Sequence, residues 1–98
     1  MTPPSHLLQS AARQGMAASM FSLGDMYERG DAVPKDVPKS LAWFAIAAEF
    51  ERQANRGAET ALAKTSATRA LALQRGLTLE DLQTAEEVGQ EEFRRIVE

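Results

Sequence analysis

Residues 23–48 read LGDMYERGDAVPKDVPKSLAWFAIAA, and this stretch decides the fold. Its opening continues a stripe in which Met16, Met20, Leu23 and Tyr27 recur at i, i+4, i+7 and i+11, one apolar line on a helix from about Met16 to Glu28. Gly24 lies inside that helix, where glycine costs about 1 kcal/mol relative to alanine, so it points to a second helix approaching closely. Gly30 closes the helix. The segment GDAVPKDVP over 30–38 is a connector, because Pro34 and Pro38 each keep the preceding valine out of the helical region. Asp36 is a natural N-cap, with Pro38 in the first turn of the next helix. That third helix covers about Pro38 to Ala54. Leu41, Phe44, Ala45 and Ala48 form one apolar face, and Trp43, Ala47 and Phe50 form another. Two apolar faces predict burial from two sides.

Working toward the N-terminus, Pro3-Pro4-Ser5 marks a start with Ser5 as N-cap, Leu7, Leu8, Ala11 and Ala12 follow at helical spacing, and Gly15 ends a short first helix. Toward the C-terminus, Asn55-Arg56-Gly57 breaks the chain, and a fourth helix runs from about Ala58 to Gln74. Gly76 ends it. Thr78 and Asp81 have capping-box spacing for a fifth helix from Leu79 to about Val97, on which Leu82, Ala85, Gly89, Phe93 and Ile96 form the apolar stripe. No segment alternates as a strand does. With 17 alanines in 98 residues, the expectation is an all-α single domain of about five closely packed helices.

Composition narrows the function classes. There is no cysteine, which excludes disulfide scaffolds and Cys-ligated metal centres. A net charge of −3 argues against general affinity for nucleic acid or anionic membranes. The apolar runs are too short to span or insert in a bilayer. MTPPSHLLQS at the start has neither a basic segment nor a long apolar run, so the expected location is the cytoplasm, or the periplasm if a leader precedes it. Charge is uneven along the chain: residues 1–78 carry net +2 and residues 79–98 net −5.

Repetition decides architecture in such a chain. Ala11-Ala12 and Ala47-Ala48 are the same dipeptide 36 residues apart, and Leu7-Leu8 falls in register with Trp43-Phe44. Leu23-Gly24, Met26-Tyr27, Gly30, Val33, Asp36, Trp43 and Ala47-Ala48 then fall on L-G-x-M-Y-x-x-G-x-x-V-x-x-D-x-x-x-x-x-x-W-x-x-x-A-A. This pattern resembles the Sel1-like repeat, an antiparallel helix pair related to tetratricopeptide repeats. Two positions depart from it: Ala32 stands where a glycine is usual, and Ser40 where an alanine is usual. The resemblance implies an α/α solenoid, with residues 5–15 as a partial repeat helix, 16–54 as the full repeat, and 55–98 as a degenerate repeat serving as a C-terminal cap. The segment LTLEDL at 77–82, with Ala85 after it, is similar to helices that close such arrays. One helix pair cannot cover its own apolar faces. The expectation is therefore either that the sequence is the end of a longer array, or that the face of the first helix is covered by a partner or by a second copy, as in a homodimer.

The chemistry in the sequence is sparse. His6 is the single histidine and reads as a surface residue, no metal or cofactor is expected, and catalytic residues are read as none. The resemblance implies a non-catalytic adaptor or scaffold, of the kind found mostly in bacteria. Small cysteine-rich relatives linked to β-lactam hydrolysis are set aside by the absence of cysteine, so an enzyme is not expected. In such a pair the first helix lines the concave side of the solenoid. Off its core stripe lie Ser22, Asp25, Met26 and Arg29, the expected contacts for a partner protein in the groove. The competing expectation is an inhibitor or immunity-type protein that docks through its acidic last helix, by Glu86, Glu87, Glu91 and Glu92.

Overall fold

A computed structural model of the chain describes residues 5–57 and 59–97. Five helices follow one another: α1 Ser5–Arg13, α2 Ala17–Arg29, α3 Val37–Ala54, α4 Ala61–Arg75 and α5 Leu79–Val97. No strand occurs among the described residues, so the all-α expectation holds. The Pro3-Pro4 start and the side chain of Ser5 lie outside the described residues, as does Ala58.

Each helix end has a local cause. The α2 helix stops at Gly30, whose left-handed φ of 73° lets the amides of Gly30 and Asp31 both donate to the Met26 carbonyl. At the start of α3 the Asp36 carboxylate accepts from the Lys39 amide at 3.1 Å, and Pro38 occupies the first turn. Thr78 accepts from the Asp81 amide at 3.1 Å. The start of α4 differs from the expected Ala58. Thr60 is the N-cap and accepts from the Ala63 amide at 3.2 Å, while its hydroxyl donates to Glu51 of α3 at 2.9 Å. Thr60 therefore begins α4 and ties it to the preceding helix in one contact.

The α3 helix is the centre of the molecule. Ser40 through Phe44 and Ile46 through Ala48 are buried, with α2 on one side and α4 and α5 on others. Ala45 is the exception within its expected face, since it lies exposed in a groove between α4 and α5. Where α2 meets α3, Gly24 faces the Phe44 ring so closely that an added Cβ would sit 2.8–3.0 Å from three ring carbons. The Ser40 hydroxyl donates to the Gly24 carbonyl at 2.5 Å, fully buried. The serine found in place of the usual alanine thus adds a bond across the closest point of the pair.

Two expectations about α2 fail, for different reasons. Met16 is 53% exposed, because it is the extended N-cap residue before the first helical turn. Met26 is 2% exposed, because α2 packs against both α1 and α3 and so buries a wider arc than one stripe. The main core joins Ala12 of α1, Met20, Leu23 and Tyr27 of α2, and Trp43, Ile46 and Ala47 of α3. Leu8 and Ile96 pack against the same cluster, so α5 returns to meet α1 and covers part of its apolar side from within the chain. Leu7 remains exposed.

Candidate functional site

The residues expected to line a groove on α2 are placed very differently from one another. Ser22 is half-buried and donates to the Ala18 carbonyl of its own helix at 3.1 Å. Met26 points into the core and leaves the candidate surface. Arg29 is exposed and ion-paired with Asp25. Asp25 is also bound from across the fold: Arg69 of α4 donates to it at 3.1 Å and to Glu28 at 2.5 Å. The Arg69 guanidinium lies 4.8 Å from the Phe44 ring centre and 5.7 Å from that of Phe21, and these two rings meet edge-on at 5.2 Å. Its pKa is raised, chiefly by the hydrogen bond to Glu28, so it stays charged throughout the ordinary pH range. The chain thus fills this part of α2 with its own arginine. Arg69 was not among the expected functional residues. The i, i+3 acids Asp25 and Glu28 signal a missing cation, but three basic residues of α4 fit that signal until packing chooses one.

The acidic quartet of α5 does not form one face. Glu86, Glu87 and Glu91 are exposed, whereas Glu92 is buried. At about 100° per residue, four positions at i, i+1, i+5 and i+6 spread over roughly 240° of the helix, too wide for a single surface. Arg95 neutralises part of the set, donating to Glu91 at 2.6 Å and to Glu92 at 3.2 Å. The second carboxylate oxygen of Glu92 is buried without a hydrogen-bond partner among the described residues.

A different surface emerges on the other side of α3. The α4 and α5 helices both pack on α3 but barely touch each other, and a groove of about 560 Å³ opens between them. Its floor is Leu41, Ala42, Ala45 and Ile46 of α3, and its far wall includes Leu82, Ala85, Gly89 and Phe93 of α5. Small residues keep it open: an added Cβ on Gly89 would meet the Ala42 methyl only at an ordinary 3.8 Å. At one end Phe93 packs against Phe50, with ring centres 5.5 Å apart. The charged lining residues are Glu49 and Glu86, which accept from Gln53 and Gln90 of their own helices and pair with no cation among the described residues. The α5 stripe read from the sequence is therefore real, but only Ala85 of it is fully covered.

His6 is exposed, and no group of three or more His, Asp or Glu side chains is placed to hold a metal ion among the described residues. No helix of the described residues is long and apolar enough to cross a membrane.

Comparison with known proteins agrees with the α1–α3 geometry. The family model described as "Sel1 repeat" matches residues 6–16 and 17–49. The two segments meet where α2 begins, and the second ends inside α3. Curated proteins and solved structures gave no match. Repeats of this kind are helical units of solenoid type, which is how α1, α2 and α3 pack. Residues 6–49, a little under half of the chain, thus match the Sel1 repeat family.

Proposed function

We infer from the repeat match, Sel1 repeats being generally protein–protein interaction modules and typically non-catalytic, that this chain binds another protein. We propose that this chain is an adaptor that holds a partner protein in the groove between α4 and α5. The observation that carries this reading is the groove itself: an apolar floor on α3, walls that do not close on each other, and a rim of acids and amides. The α2 face offers less to a partner, since Asp25 is already held by Arg69 and Met26 is buried. Exposed apolar surface rimmed by polar residues is the usual mark of a docking site. The α5 helix serves in addition as the cap of the repeat, its Ile96 closing over the core beside α1.

The test is a quantitative pull-down from native lysate with the full chain and with Ala45→Trp. Ala45 is exposed at the groove floor, so the indole fills the groove while the circular dichroism and melting curve stay those of the parent. The expected result is a partner recovered at near-equal amount by the parent and lost with the variant. Equal recovery by both chains, or recovery only of further copies of this chain, would defeat the reading.

A further inference from the structure

We infer that the groove between α4 and α5 receives a short amphipathic helix that is basic on its flanks. This rests on the adaptor reading above and specifies the chemistry of the partner segment. Shape sets the length. The α5 wall runs from Leu82 to Phe93, about 16 Å at 1.5 Å per residue, which matches an occupant helix of about three turns. The floor offers Leu41, Ala45 and Ile46 to apolar side chains that recur at i, i+4 and i+7, the usual anchors of a helix lying in a groove.

Charge sets the sign. Both charged lining residues are acidic, and neither is ion-paired among the described residues. From Gly76 to Phe93 the chain has no lysine or arginine, while Glu80, Asp81, Glu86, Glu87, Glu91 and Glu92 lie on that stretch. Arg95 compensates only the last two of these. Of these acids Glu86 lines the groove itself, facing it together with Glu49 of α3. An acidic helix would meet like charge there, at a cost in both affinity and encounter rate, whereas lysine or arginine beside the apolar anchors would meet Glu49 and Glu86. The basic residues of α4 do not alter this balance inside the groove, because the α4 lining residues are Ala70 and Gln74 and Arg69 is turned toward Asp25 and Glu28.

The experiment pans a displayed library of helical peptides, about 14 residues long, against the full chain. Enriched peptides are expected to carry apolar residues at i, i+4, i+7 and net positive charge. Their binding, read by fluorescence anisotropy, should fall at least about tenfold with Glu49→Gln/Glu86→Gln, a comparable amount between low and high salt, and be lost with Ala45→Trp. Enrichment of neutral or acidic peptides that Ala45→Trp still blocks overturns the charge assignment while the groove stands. Enriched peptides that bind Ala45→Trp as well as the parent, or no enrichment at all, overturn the groove as a helix site.

Discussion

The α2–α3 pair and the α4–α5 pair answer the same problem, covering the apolar faces of a central helix, in opposite ways. In the first, glycine serves contact: Gly24 lets the Phe44 ring lie against the α2 backbone, and Ser40 bonds to the Gly24 carbonyl across the joint. In the second, glycine and alanine leave space: Gly89, Ala42, Ala45, Ala70 and Ala85 surround a groove rather than fill it. The difference teaches that small residues at a helix stripe do not by themselves announce tight packing. They permit it, and the crossing geometry decides whether it happens.

The largest effect should come from the aromatic pair at the two sites. Phe44 is fully buried, so Phe44→Ala should cost about 3–5 kcal/mol in urea unfolding. Phe93 is half-buried at the groove end, and Phe93→Ala should cost less than half of that. Equal costs would erase the contrast between the two regions.

Next come the two mid-helix glycines, which should respond with opposite sign. Gly24→Ala places a methyl 2.8–3.0 Å from the Phe44 ring and should destabilise by about 1–3 kcal/mol, the usual cost of overpacking. Gly89→Ala meets only a normal contact and should stabilise by up to about 1 kcal/mol through helix propensity. For a domain of this size that difference is a separation of roughly 4 °C or more in melting temperature. A Gly24→Ala chain that melts at or above the parent would show that the joint is not closed.

Arg69 links the two regions, and Arg69→Gln should lower stability by about 1 kcal/mol. The guanidinium is about a third exposed, which limits its ion pairs to the modest range, and its place over the Phe44 and Phe21 rings adds a similar contribution. High salt should narrow the gap between parent and variant, and a gap independent of salt would assign the loss to packing alone.

The smallest effect should come from the connector of the first pair. Ala32 replaces the usual glycine of the repeat and adopts a left-handed φ of 66°. Ala32→Gly removes that strain against a larger entropy loss on folding, for a net gain of about 0.5 kcal/mol. A melting temperature that falls in this exposed variant would show that the alanine packs usefully in the turn.

Much of the fold was legible in the sequence because its signals are local. Asp36, Thr78 and Gly30 act on backbone groups within a few residues of themselves, and each ended or began a helix as read, whereas Val37, expected outside the helix because it precedes Pro38, is the first residue of α3. The 3.6-residue period placed Met20, Leu23, Tyr27 and Trp43 inside. Met16 was misread because an apolar stripe does not reveal where the first helical turn begins, and Thr60 was missed because the Ala-rich run around it offered no contrast. The candidate site was far less legible. Met26 is buried because both α1 and α3 pack on α2, contacts that no period on α2 alone could place.

What the sequence by itself determined is the set of helices, their caps, and the close α2–α3 joint at the repeat motif, because these follow from interactions over short separations and from a pattern of residues at set offsets. Only the tertiary structure decided that α4 and α5 stand apart on α3, that Arg69 crosses to Asp25 and Glu28, and that Ile96 returns to the core beside α1. Those outcomes depend on the angles at which whole helices cross, which are settled by the summed packing of many side chains rather than by any residue's local preference.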